Sequence, residues 1–228
     1  MYITNTTMKS LSSLIYFSLC IFAYSTIFGQ EDSATVVDKL SILNHNGQVW
    51  FAEGIKLNDE PNFGGYERID LVTYSSDDSA GNSRSTRYQV TGLIGLKLIR
   101  AEALVNLGFP GYGILLEYSW TNSGATPRDY FKTIVVLQLK RDTVIRVWKY
   151  NTEEAESPKR KMVFAHIDFM QTSAKTSCDI VVSRIEGNGR DLRKCKNTRE
   201  IYSYNKDGTF HLMRTELVHF TKNFHKSK

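Results

Sequence analysis

Cysteine is scarce in this 228-residue chain: there are three, at positions 20, 178 and 195. No CxxC and no HxxxH occurs, so neither a four-ligand zinc site nor an adjacent redox pair finds its usual spacing. No serine sits in a GxSxG turn and no glycine-rich phosphate loop is present, which removes two common hydrolase and nucleotide-binding signatures. Past residue 30 no stretch is long and apolar enough to span a bilayer as a helix, and no N-x-S/T acceptor remains. A dominant charge is missing too. The 29 Lys and Arg face 24 Asp and Glu, a formal +5. The basic clusters "PKRK" (158–161), "RDLRKCK" (190–196) and "KNFHKSK" (222–228) lie apart and are broken by acids. A nucleic-acid partner is therefore not expected.

What is present begins with an export tag. "MYITNTTMKSLSSLIYFSLCIFAYSTIFGQ" has one basic residue, Lys9, then an apolar run from Leu11 to Phe28, with small Gly29 at the switch to "EDSAT". This reads as a secretory signal over 1–29, leaving 30–228 as one domain, soluble and secreted or periplasmic; an uncleaved anchor is the rival. Cys20 leaves with the signal. Cys178 and Cys195 then form an even pair in an oxidising space, which predicts a disulfide. The chain between them, turning at Gly187-Asn188-Gly189, would make it a clasp across a hairpin worth about 3 kcal/mol.

The mature chain is large enough for one real core. Residues 33–46 put Val36, Val37, Leu40 and Leu43 at helical spacing, predicting a short amphipathic helix. The period then changes to two. "GQVWFAEGIKL", "YERIDLVTYS" and "RYQVTGLIGL" read as strands separated by turn-forming "NDEPNFGG" and "SSDDSAGNSRS". Residues 93–107 stay open between a helix, which their residue types and the following Gly108 and Pro110 favour, and the continuation of one long strand. From Gly111 a meander follows. With Arg141-Asp142 as a two-residue turn, Val144, Arg146 and Trp148 should lie on one face opposite Leu139, Leu137 and Val135. The expected architecture is mainly β: an antiparallel up-and-down meander closing into a barrel or sandwich, with one or two short helices.

Chemistry-bearing residues are sparse. The loop "SSDDSAGNS" lacks the distal carboxylate of a calcium site. His166 and Asp168 share a strand face, as expected of solvent-facing alternation, and no metal or cofactor is implied. A denser constellation is the aromatic, arginine and acid set Glu117, Tyr118, Trp120, Arg128, Tyr130, Arg146, Trp148 and Tyr150. A cation among apolar groups, as Arg146 would be, is costly unless paired. Glu117 or an anionic ligand could supply the partner.

The strings "GILLEYSW", "TPRDYFKTIVVLQL", "TVIRVWKYN" and "SCDIVVSRIEGNGRDLRKC" follow one another between Gly113 and Cys195. In that order they resemble the T-type phycobiliprotein chromophore lyases and their exported relatives. The resemblance implies a calycin-type, lipocalin-like closed barrel taking a small apolar or tetrapyrrole-like acid. Glu117, Arg128 and Tyr130 match that family's site, while Tyr118 stands where the family has Gln. Bilin attachment is not expected of an exported chain, so whether any catalysis occurs stays open. Ligand binding through Glu117, Tyr118, Arg128, Tyr130, Arg146 and Trp148 is the first functional expectation. An exported all-β interaction module with a filled core, acting through its surface on an envelope or host partner, is the alternative.

Overall fold

The computed structural model describes residues 34–45, 48–57, 65–75, 83–104, 107, 112–122, 129–140, 143–156, 161–171, 178–188 and 195–218. The chain divides into two compact units, Met1–Thr35 with Leu57–Asp59, and Val36–Lys56 with Glu60–Lys228. The packing below is that of the second.

Eleven strands follow one another: β1 (Ala34–His45), β2 (Gln48–Leu57), β3 (Tyr66–Ser75), β4 (Ser83–Leu104), β5 (Tyr112–Thr121), β6 (Tyr130–Lys140), β7 (Thr143–Glu156), β8 (Lys161–Gln171), β9 (Cys178–Asn188), β10 (Lys196–Tyr204) and β11 (Phe210–Leu217). Each lies beside its sequence neighbours in one antiparallel sheet. β1 and β11 stand at opposite ends of the strand order, so the sheet does not close into a barrel.

No helix occurs among the described residues. The helix expected over 33–46 is strand β1, whose Leu40, Ile42 and Leu43 pack on the first core. Residues 93–104 continue β4, whose first half pairs β3 and whose second half pairs β5. Tertiary pairing on both sides overrides the helical spacing. The long strand changes partners where Gly92 and Gly95 adopt φ of 73° and 60°, which β-carbon-bearing residues resist. There the backbone of Gly65 approaches so closely that an added β-carbon would lie 2.5 Å from the Gly95 carbonyl carbon.

The central strands are covered twice. In β5, Ile114, Leu116 and Tyr118 enter a core with Trp50, Ala52, Ile69, Leu71 and Val90 of β2–β4, while Leu115 points the other way. In β6, Val135, Leu137 and Leu139 share that first core. Ile134 and Val136 join Trp148, Ile180, Val182 and Phe210 in a second one. The early strands thus cover one face of β5–β6 and the late strands cover the other. Continuous apolar runs such as "ILL" and "IVVL" suit strands buried on both faces. Two bonds tie the late strands down: Cys178 N–H to Leu107 C=O at 3.0 Å, and Tyr204 O–H to Gln138 Oε1 at 3.2 Å.

Two expectations need correction. Leu139 and Leu137 do face Val144 and Arg146, but the register then shifts and Trp148 lies opposite Val136, not Val135. The extra residue, Val147, turns Trp148 onto the other face. The disulfide is also absent, since Cys178 and Cys195 are both free. The β9–β10 hairpin forms, but its register sets Lys196 opposite Glu186. Cys195 therefore lies beside Gly187, while Cys178 begins β9, nine residues of extended chain or roughly 30 Å away. No such separation can be bridged by sulfur. Burial, then neighbouring Asp179, pushes the Cys178 thiol up to about 11.

Candidate functional site

The early strands carry a buried ionic cluster. Glu53 and Asp70 stand directly opposite one another on β2 and β3, and both side chains are fully buried. Arg84 of β4 bridges them, Nε to Glu53 at 3.0 Å and Nη2 to Asp70 at 2.8 Å. Tyr74 donates to Glu53 at 2.7 Å, Lys39 pairs with Glu53 at 3.1 Å, and Gln89 and Arg68 complete the shell of Asp70. Burial pushes the Glu53 carboxyl upward, but hydrogen bonds from Tyr74, Lys39 and Arg84 outweigh it and hold the group below its ordinary value. Glu53 thus accepts from three donors and Asp70 also from three, Arg84, Arg68 and Gln89, which suits a structural role. The cluster staples four strands together, β1 through Lys39 and β2–β4 through the rest.

The residues nominated from sequence do not share one cavity. Tyr118 is inside the first core, where burial first, and Tyr88 next, push its hydroxyl up to about 12 against the opposing charge of Arg146. Arg146 is exposed, so the buried unpaired cation anticipated from its alternation does not arise. Glu117 points to the opposite face of β5 and meets Arg100 of β4 at 3.2 Å, not Arg146. Tyr130 is half-buried opposite Thr121 and Ala155. Arg128 lies outside the described residues. Trp148 fills the second core, stacked 5.5 Å from Tyr150 and edge-on to Tyr202, and its indole N–H has no partner.

Two concavities flank strand β8. Its side chains alternate with period two, and both phases carry apolar groups. Phe164, His166, Asp168 and Met170 face outward, where with Val181, Ser183 and Ile185 of β9 and Arg199 of β10 they line a groove of about 660 Å³. Phe164, Met170 and Ile185 stay 48%, 43% and 43% exposed. Large apolar side chains left in water on adjoining strands are the usual mark of a binding surface. Among the described residues the Arg199 side chain bonds only Met170 Sδ, at 3.7 Å. His166 and Asp168 bond one another at 3.2 Å and are both largely exposed. The other phase of β8, Ala165, Ile167 and Phe169, borders an inner cleft of about 490 Å³. Leu115 and Ile134 form its floor, with the Arg100–Glu117 and Lys132–Glu153 pairs around them.

Among the described residues, Glu117 is thus the one member of the expected ligand-binding set that lines either concavity. Of the groove residues, His166 and Asp168 were expected only as a solvent-facing pair, and the apolar ones were missed. Their signal was in "KMVFAHIDFM", where apolar residues occupy both phases of a strand, a pattern that asks for cover on two faces.

Comparison of the chain with family models, with curated proteins and with solved structures finds no match to any of them.

Proposed function

We propose that this chain is an exported, non-catalytic binding module that acts through the outer groove of β8–β10 on an apolar element of an envelope or host partner. The exposure of Phe164, Met170 and Ile185 along one groove carries the reading. It is supported by the filling of both central cores, which leaves the middle of the sheet occupied by its own side chains. Export rests on the signal read over residues 1–29. The chemistry is apolar contact with a guanidinium at one side, Arg199, and a His166–Asp168 pair at another.

A second reading follows from the resemblance to the T-type lyases. A small apolar or tetrapyrrole-like acid would lie in this same groove with its acid group toward Arg199, favoured by that guanidinium's lack of a carboxylate among the described residues. A closed calycin barrel is the finer form of that reading and would need further pairing between the ends of the sheet.

Anilinonaphthalene sulfonate, an apolar anion, tests the groove directly. The native protein should enhance its fluorescence, and Phe164→Ser and Ile185→Ser should each cut the signal severalfold while circular dichroism stays unchanged. An enhancement indifferent to both substitutions would refute the assignment. Mass spectrometry of protein purified from its own host separates the readings, because a retained small acid belongs to the second.

A further inference from the structure

Strands β7 and β8 pair over only four residues each, Glu153–Glu156 against Lys161–Phe164. Beyond that fork β7 runs back to Thr143 and β8 runs on to Gln171. Both banks are firmly held, β7 by β6 and β8 by β9 along the whole of Lys161–Gln171 without a register shift. The segment Ala165–Gln171 is therefore a straight strand with one edge paired and, among the described residues, no strand against the other. Every second residue of such an edge directs its N–H and C=O away from the existing ladder.

Free edges are normally blunted by proline, lysine or a bulge. β11 has such a device, a register shift beside Met213. In β8 "AHIDFMQ" contains no proline, no lysine and no irregular pairing, and its one carboxylate, Asp168, is engaged by His166 at 3.2 Å. The unguarded edge also borders the inner cleft, with its Leu115 and Ile134 floor.

We propose that the Ala165–Gln171 edge receives an extended segment of a partner polypeptide as an added antiparallel or parallel strand, β8 being the template. This rests on the binding-module reading above and names the partner class and the docking mode. A row of backbone donors and acceptors is complemented by another backbone about 4.8 Å away, which neither a lipid chain nor a planar ring supplies. The side chains of the added strand would alternate. One set meets the cleft, where Arg100 and Lys132 are already neutralised by Glu117 and Glu153, so charge on the partner gains little. The other set lies beside His166, Asp168 and Met170, where the His166–Asp168 pair at 3.2 Å already engages the one carboxylate of the segment. The fitting partner is an uncharged stretch of about six or seven residues rich in β-branched and aromatic side chains.

The test uses the full chain against a phage-displayed library of linear 12-residue peptides, followed by hydrogen exchange with a synthesised winner. Enriched sequences should be uncharged and alternately apolar. Alternate amides within Ala165–Gln171 should slow about tenfold or more on binding. N-methylation of one alternating set of peptide residues should weaken binding about tenfold, and of the other set much less. Strand addition is overturned if no peptide is enriched, if N-methylation is harmless in both phases, or if those amides are already protected in the free protein. A peptide that binds with no protection in β8, yet is lost in Phe164→Ser, overturns strand addition and leaves the groove assignment standing. Dye binding that ignores Phe164→Ser would sink the groove assignment by itself.

Discussion

Among the charged side chains of the described residues, Arg84 should cost the most to remove. Its guanidinium is, among the described residues, the only group that touches both Glu53, at 3.0 Å, and Asp70, at 2.8 Å. In Arg84→Met two charge-assisted bonds disappear, each worth about 1.5–3 kcal/mol. The carboxylates, as direct cross-strand neighbours about 5 Å apart, would then repel by about 3 kcal/mol at an effective dielectric near 20. Lys39, Arg68, Tyr74 and Gln89 remain and absorb part of this, so the net loss should be about 3–5 kcal/mol, as for broken buried pairs generally. With a urea dependence of about 2 kcal/mol per molar, the unfolding midpoint falls by about 1.5–2.5 M. The pH profile carries the sharper test. In the native protein Glu53 is held below its unfolded value, so its contribution is complete above the unfolded glutamate pKa of about 4.3 and is lost as pH falls through the folded one. In Arg84→Met, burial and repulsion from neighbouring Asp70 raise the Glu53 carboxyl above the unfolded value instead. Stability should then rise as pH falls from 7 toward 5. A loss under about 1 kcal/mol, or acid profiles that run parallel in the two proteins, would refute the reasoning.

Trp148 and Arg146, two residues apart, should respond oppositely. Trp148→Ala empties the middle of the second core and should cost about 3–5 kcal/mol, whereas exposed Arg146→Ala should stay within about 0.5 kcal/mol. Denaturant titration checks both, and a severe effect at Arg146 would mean that it is bound by something in the folded state. Thiol labelling at pH 8 should modify Cys195 rapidly and Cys178 only on unfolding, because Cys178 is buried with its thiol raised to about 11. Equal labelling rates, or no free thiol at all in the oxidised protein, would contradict the β9–β10 register.

The strands of this protein were legible because alternation and turn chemistry are local. Leu139 lies against Val144, as a turn at Arg141-Asp142 requires, although those two residues lie outside the described ones, and the turn at Lys206-Asp207-Gly208, with φ of 85° at Gly208, sets Tyr204 against Phe210. Both were readable from short windows, since a tight turn dictates register for the few residues beside it. Register decays with distance from the turn. One extra residue at Val147 was enough to move Trp148 to the other core, and the longer β9–β10 connection was enough to part the two cysteines.

The candidate site was the least legible part for the same reason. Glu117, Tyr118, Arg146 and Trp148 are close in strand order, but which face each occupies depends on bulges that no residue type announces. The amino-acid sequence by itself determined an antiparallel meander of strands with aromatic and β-branched cores, through propensity and period. Only the tertiary structure decided that residues 34–45 and 93–104 are strand despite helical spacing, that β5 and β6 are covered on both faces, and that among the described residues the sheet stays open, with no strand against one edge of Ala165–Gln171. Those outcomes arise from pairing between segments far apart in the chain, whose energy appears only when two surfaces meet.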